Sequence, residues 1–333
     1  MSASRMIKMS RIVTQAGMCV ALLAAAVASP TQAQPFPAKP VKLVVPFAPG
    51  GGNDAFARLL GQKLGEVWKQ AVIIDNRAGA GGNIGTEFVT KATPDGYTLL
   101  LGHTGTLSIN PTLYAKLSSD PQKNLLPVAS IASAPLVLVV AADVPAQTVK
   151  DIIALAKVKP GELTYASSGS GTGSHLSGEL LQMMAGIKLS HIAYKGTSPA
   201  ITDVLAGHVK MMFSVIPTAL PHIRAGKLKA IAVTSAQPMA MLPNVPTVAA
   251  SGLPGFESTL SYGILAPLGT PDAIVKAMHA EIGKILAMQD VKDRLALEGA
   301  APLISSPAEY AALIKAEADK WAKVIKASGA TAE

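Results

Sequence analysis

Two stretches decide how this chain reads: Val44-Val45-Pro46-Phe47-Ala48-Pro49-Gly50-Gly51-Gly52-Asn53-Asp54 and Arg77-Ala78-Gly79-Ala80-Gly81-Gly82-Asn83-Ile84-Gly85. Each follows a short apolar strand pattern, breaks into glycines and leads into a helical pattern. A helix start leaves backbone N–H groups unpaired and carries the positive end of the helix dipole, so it attracts an anion. Glycine removes the Cβ that would hold a ligand away from the backbone. Neither stretch is a nucleotide fingerprint. Ile84 stands where the dinucleotide motif needs its last glycine, and no Gly-Lys-Ser/Thr closes a phosphate loop anywhere in the chain. The chemistry indicated is capture of a small anion.

Outward from these loops, strand and helix patterns alternate almost throughout, which predicts an α/β protein with largely parallel sheets. Strands are expected at Val41 to Phe47, Val72 to Asp75, Tyr97 to Leu101, Leu136 to Ala141, Leu163 to Ala166, His191 to Tyr194, Met211 to Phe213, Ala230 to Val233 and Tyr262 to Ala266. Asn53 or Asp54 can cap the first helix and Asn83 the second, and Thr148 with Asp151 reads as a capping box. Thr270-Pro271, Asp290 and Ser306-Pro307 are further helix starts, and the Pro/Gly-rich stretch from Pro243 to Phe256 is expected on the surface between lobes. The predicted organisation is residues 34–134 plus 259–333 as lobe I and residues 135–258 as lobe II.

A third glycine loop, Ser167-Ser168-Gly169-Ser170-Gly171-Thr172-Gly173-Ser174, falls in the second lobe. Its hydroxyls and backbone N–H groups together suit a carboxylate. Any one such loop is also satisfied as a tight turn with no ligand. Recurrence in both lobes favours a cleft, because ligands of open α/β sheets sit beyond the carboxyl ends of the strands. Ser174-His175 invites a hydrolase reading, but there is no Gly-x-Ser-x-Gly in the chain, and neighbouring residues on a helix point about 100° apart. His175 therefore reads as a structural or cleft-wall histidine. The six histidines are scattered without metal-ligand spacing, so no metal site and no cofactor is expected. Asp54 precedes Arg58 by four residues, which fits an ion pair on one helix face or, equally, a carboxylate shaping the glycine loop. Phe47 could line a pocket or belong to the core.

The first 33 residues read as an export signal. Arg5, Lys8 and Arg11 precede an apolar run from Ala16 to Ala28, short of the roughly 20 residues a membrane span needs. Cleavage after Ala33 is expected, with Ala28 as the alternative site and an uncleaved anchor as the alternative reading. The lone cysteine, Cys19, lies inside this leader, with Met18 before it and the apolar core after it, which argues against lipidation. The mature chain then has no cysteine, as fits a periplasmic protein that relies on its core. Removing the leader's three basic residues from 29 leaves 26 against 21 acidic ones, a mild +5. With aromatics at 4% and no long basic run, nucleic-acid binding is not expected.

Taken together, the motifs resemble the Bug family, the periplasmic solute receptors of tripartite tricarboxylate transporters. The marks are Pro46-Phe47-x-x-Gly50-Gly51-x-x-Asp54-x-x-x-Arg58, Asn76-Arg77 with Gly79-x-Gly81-Gly82, Pro94-Asp95-Gly96-Tyr97 and Asn110-Pro111. In the second lobe they are Gly171-x-Gly173-Ser174-x-x-Ser177, Tyr194-Lys195-Gly196 and Leu242-Pro243-Asn244-Val245-Pro246-Thr247. The resemblance covers essentially the whole mature chain. It implies a two-lobed periplasmic binding fold of the second type, no catalysis, and a small carboxylate held in the cleft. By motif position it assigns ligand contacts to Phe47, Gly50, Gly51, Asp54, Ser168, Gly173 and Ser174. Thr104 and Thr106, at a strand end expected to face the cleft, are added. Many members carry an acidic residue after the Met-Phe pair; here it is Ser214, which cannot meet a ligand ammonium and so favours a plain carboxylate over an amino acid. The expected partners are a small carboxylate and the membrane permease subunits of a transporter, if a cognate permease exists, with the receptor itself a monomer. A sensing receptor of the same shape, or an α/β enzyme, are the alternatives.

Overall fold

The computed structural model describes residues 36–332; the leader and its cleavage site lie outside the described residues. The chain divides into two units, Met1–Ala38 and Lys39–Glu333, and every strand and helix described belongs to the second. Strand β1 (Val41–Val45) carries an almost wholly buried apolar run and pairs in parallel with β2 (Val72–Asn76) and β3 (Thr98–His103). Helix α1 (Gly52–Trp68) follows β1 and α2 (Asn83–Thr90) follows β2. Two one-turn helices, α3 (Asn110–Leu113) and α4 (Pro121–Asn124), lead into β4 (Leu125–Ala141). Then come α5 (Val149–Val158), β5 (Thr164–Ser167), α6 (Gly173–Ala185), β6 (Ser190–Ala193), α7 (Thr197–Leu205), β7 (Met211–Val215), α8 (Ile216–Arg224) and β8 (Leu228–Val233). The chain ends with β9 (Thr259–Pro267), α9 (Asp272–Ala287), α10 (Gln289–Leu297), β10 (Ala301–Pro302) and α11 (Pro307–Ser328).

The sheet is mixed, not largely parallel, and the reason is β4. It is 17 residues long and continuous. Its first half pairs antiparallel with β9 and β10, and its second half, from Leu136, pairs antiparallel with β7 and β8. The parallel pairs flank it, β1 with β2 and β3 on one side and β5 with β6 and β7 on the other. The strand order is β2-β1-β3-β9-β4-β7-β5-β6. The expected strand at Leu136 therefore starts eleven residues earlier, at Leu125. Pro127 and Pro135, and the run of small residues between them, hide it from a propensity reading; pairing with β9 imposes it.

Burial follows the patterning. Leu136 to Ala141 and Met211 to Phe213 are buried at 2% exposure or less, in one large apolar cluster with helices α5, α6 and α7. Val44, Leu100 and Leu265 lie in a second cluster. Helix α11 enters both: Tyr310 and Ile314 pack in the smaller cluster, Trp321, Val324 and Ile325 in the larger. The Pro243 to Phe256 stretch is only partly superficial. Its prolines are exposed, but Val248 and Phe256 are buried and Thr247 bridges to Val233, so its apolar residues belong to the core. The Thr148–Asp151 capping box forms as expected, and a second, Ser306–Glu309, opens α11.

Candidate functional site

The first loop is organised by one carboxylate. Asp54 is 4% exposed. Its Oδ2 accepts the Gly50 N–H at 3.0 Å and the Arg58 Nε–H at 2.8 Å, and its Oδ1 accepts from Asn76 Nδ2 at 3.0 Å. Asn76 Nδ2 also donates to the Phe47 carbonyl at 3.1 Å. Burial raises the carboxyl's pKa, but the bonds from Arg58, Gly50 and Asn76 outweigh it and hold Asp54 below its ordinary 3.8. Both readings of Asp54 are thus realised, ion pair and loop shaping. Neither Asn53 nor Asp54 caps the helix: the cap is Gly51, without a side-chain bond. The first-turn N–H groups of α1 have no partner from the helix itself, and Gly50 and Gly51 are exposed. Asn53 Oδ1 is buried with no hydrogen-bond partner.

The second loop closes beside the first. Gly79, Ala80, Gly81 and Gly82 all have positive φ. A Cβ on Gly82 would lie 2.6 Å from Thr106 Cγ2 and 3.0 Å from Phe47 Cζ, so Phe47, Gly82 and Thr106 meet in van der Waals contact at the carboxyl edge of the sheet. Gly82, not Asn83, caps α2. Asn83 Oδ1 instead accepts from Asn110 Nδ2 at 2.7 Å, and the same amide donates to the Gly81 carbonyl at 2.9 Å.

Asn110 belongs to α3, and α3 also touches the third loop. A Cβ on Gly171 would lie 2.3 Å from Leu113 Cδ2, and one on Gly173 would lie 2.4 Å from Leu260 Cδ2 of β9. The two groups of glycine loops, far apart in sequence, therefore meet on either side of α3. The hydroxyls of the third loop divide by their partners. Ser168 is half-buried and its hydroxyl makes no hydrogen bond among the described residues. Ser174 is buried and donates to the Phe213 carbonyl at 2.5 Å. Ser214, fully buried opposite Val137, donates to the Val215 carbonyl at 3.1 Å. Thr104 is fully buried, accepts the Ser261 N–H at 2.8 Å and so ties β3 to β9. Thr106 donates to the His103 carbonyl at 3.1 Å. Of the ten residues singled out, Phe47, Gly50, Gly51 and Ser168 have free surface; Asp54, Thr104, Thr106, Gly173, Ser174 and Ser214 are buried around them.

Sequence reading missed two groups. The first is an imidazole pair beneath the third loop. His175 Nδ1 accepts the Gly171 N–H at 3.1 Å, and the His191 ring stacks on the His175 ring with centroids 4.0 Å apart. His191 Nε2 bonds Ser167 Oγ at 2.7 Å, and Ser167 in turn bonds both backbone groups of Gly169. Burial, and then the neighbouring His191, push His175 down to about 3; burial pushes His191 down to about 4. The second is the carboxyl of Glu317 on α11, which accepts from Ser261 at 3.1 Å and from Ser108 at 3.4 Å behind Thr104. Burial raises it to about 7 against these hydroxyls and Lys320. No spacing rule links His175 to His191 or Glu317 to Ser261; strand pairing and helix docking do. A hollow of about 620 Å³ lies elsewhere, beside α7 and α8, lined among others by Thr202, His222 and Lys227.

The sequence profile described as tripartite tricarboxylate transporter family receptor matches residues 56–330. The chain belongs to that family. Its relatives include BugT of Bordetella pertussis, 36% identical over 327 residues, covering 97% of this receptor and 98% of BugT. A protein from a tcbD-tcbE intergenic region of Pseudomonas sp. strain P51 is 40% identical over 291 residues, 87% of this chain and 86% of its own. Among solved structures, Rpa4515 of R. palustris with adipate superposes with a TM-score of 0.82 at 35% identity, over 89% of the receptor and 99% of Rpa4515. MatC of Rhodopseudomonas palustris with bound malate gives 0.77 at 33% identity, over 87% and 100%. The fold is that of periplasmic solute-binding receptors. Among the described residues no helix is long and apolar enough to cross a membrane, and no group of three or more His, Cys, Asp or Glu is placed to hold a metal ion.

Proposed function

We propose that this receptor captures a small organic carboxylate in the periplasm and presents it to the permease of a tripartite transporter, without chemical change to the ligand. The observation that carries the reading is the convergence of the glycine loops at α3, where Asn110 bonds Gly81 and Leu113 meets Gly171. The unpaired N–H groups at the starts of α1 and α6, the Ser168 hydroxyl and the Phe47 ring supply dipoles and an apolar wall for a carboxylate and its carbon chain. No lysine or arginine is among these groups, and Arg58 is engaged by Asp54, so the anion is held by N–H dipoles. Adipate and malate, the ligands of two structural relatives, set the size class.

The two predicted lobes fit a hinge at the points where the chain passes between them. β4 changes partners at Leu136, whose N–H donates to Thr234 Oγ1 at 2.7 Å; Thr234 Oγ1 also donates to the Ser258 carbonyl, next to the start of β9. Closure brings loops from both lobes onto one ligand, which stabilises the closed state by the contacts it makes to both. The receptor acts as a monomer, exported by its N-terminal leader. Thermal unfolding of the exported protein against mono-, di- and tricarboxylates, amino acids and neutral analogues tests this. A carboxylate at 100 times its Kd adds roughly 2.7 kcal/mol, an easily seen shift. A shift with neutral compounds alone would overturn the carboxylate assignment.

A further inference from the structure

His103 closes β3 at the carboxyl edge of the sheet, and no motif assigns it a role. Its neighbours Thr104, Gly105 and Thr106 are buried, whereas His103 itself is half-buried. The ring stacks on Phe47, with centroids 4.7 Å apart and planes 16° apart, and Tyr262 of β9 meets it edge-on at 5.9 Å. The orientation is fixed by chemistry as well as by packing. The Gly105 backbone N–H donates to His103 Nδ1 at 2.6 Å. A backbone N–H can only donate, so Nδ1 carries no proton and the proton of the neutral ring sits on Nε2. Burial pushes the ring's pKa down to about 4, so this tautomer is the neutral-pH form.

Nε2–H has no hydrogen-bond partner among the described residues. It is not shut away either: the fully buried polar atoms without partners, among the described residues, are Asn53 Oδ1 and Tyr310 Oη. The ring is therefore an uncharged donor with one face on Phe47, one nitrogen locked and the other open, one strand away from the Gly50 loop. Phe47, which stacks on it, also meets Gly82 and Thr106 at the edge where ligands of α/β sheets sit.

We infer that His103 is a specificity-determining residue of this receptor, donating its Nε2–H to an oxygen of the bound carboxylate. The inference rests on the carboxylate reading above and adds the residue that reads the ligand's oxygen. A neutral donor of fixed direction suits an oxygen acceptor and leaves an ammonium or amide N–H at the same point unpaired. Ligands that present a nitrogen donor there are disfavoured for the same reason that an unpaired buried polar group is costly.

The test titrates adipate, malate and a neutral diamide into wild type, His103→Asn and His103→Gln by calorimetry. Wild-type and adipate-bound protein are also compared by ¹⁵N-detected imidazole NMR. Asn keeps an acceptor for Gly105 but has no donor where Nε2 lies; Gln places an amide N–H near that position. The expected result is a loss of about tenfold or more in carboxylate affinity for His103→Asn, recovery to within a few-fold for His103→Gln, and a ligand-induced shift of the wild-type Nε2–H resonance. Wild-type binding with His103→Asn equally tight would overturn the role of His103 while leaving the carboxylate reading intact. So would weakened binding of His103→Asn with an unmoved Nε2–H resonance, since the ring would then only prop Phe47. A wild-type protein that binds neither acid and shows no thermal shift with any mono-, di- or tricarboxylate would overturn both.

Discussion

The rings of His175 and His191 stack with centroids 4.0 Å apart, and each holds one end of the Gly169–Gly171 loop. His175 must be neutral to do so, because a protonated Nδ1 cannot accept the Gly171 N–H; His191, whose Nε2–H donates to Ser167, is kept neutral by burial. With His103 they form three histidines whose folded-state values, about 3 to about 4, lie below the ordinary 6.5. The unfolded chain takes up protons through 6.5 that the folded chain refuses until pH reaches those values. Stability therefore falls as pH drops from 6.5 toward 4, by up to roughly 1.4 kcal/mol per pH unit for each group. Urea unfolding at pH 7.5, 6, 5 and 4.5 reads this loss, and His175→Gln should make it shallower. An unchanged slope in His175→Gln would show that His175 does not contribute.

Glu317 acts with the opposite sign. Its folded-state value of about 7 exceeds the ordinary 4.5, so between those values the folded protein holds a proton that the unfolded chain has released. Its contribution is full below 4.5 and is lost as pH rises to about 7. Glu317→Gln keeps an acceptor for Ser261 and carries no charge. Its stability relative to wild type should rise between pH 5 and pH 8. A difference independent of pH would mean that Glu317 is ionised across the range.

Asp54→Asn tests the first loop. The charged acceptor shared by Gly50, Arg58 and Asn76 becomes an amide that must present an N–H to one of those donors. A loss of about 1–3 kcal/mol in stability is expected, with carboxylate affinity reduced at least tenfold because the Gly50 loop is no longer held. Full affinity in the variant would show that the loop keeps its shape without the carboxylate.

Gly82→Ala should be more disruptive than its size suggests. Its φ of 93° disfavours a side chain, and the new Cβ would press on Thr106 Cγ2 and Phe47 Cζ. A cost of about 1–3 kcal/mol is expected, partly recovered by adding Thr106→Ser, which removes the nearer methyl group. Additive effects of the two substitutions would contradict the contact.

Legibility in the sequence depended on distance along the chain. Glycine loops at strand ends and the Thr148–Asp151 box are local, and local chemistry specifies them. The first half of β4 was hidden, because Pro127, Pro135 and small residues mask a strand that only β9 stabilises. Thr104, Ser174 and Ser214 are candidate ligand contacts by sequence; what the sequence did not show is that folding also gives their hydroxyls partners in Ser261, Phe213 and Val215. A hydroxyl advertises hydrogen bonding; tertiary packing chooses its partner. For the same reason His103, His191 and Glu317 carried no signal until their strands and helix were placed.

Binding of a carboxylate between the glycine loops is tested most directly by the crystal structure of the receptor with the carboxylate that gives the largest thermal shift. Carboxylate oxygens are expected within about 3 Å of N–H groups at the start of α1 or α6, with Phe47 and His103 against the ligand. A carboxylate found instead in the hollow lined by His222 and Lys227, with the glycine loops unoccupied, would contradict this placement.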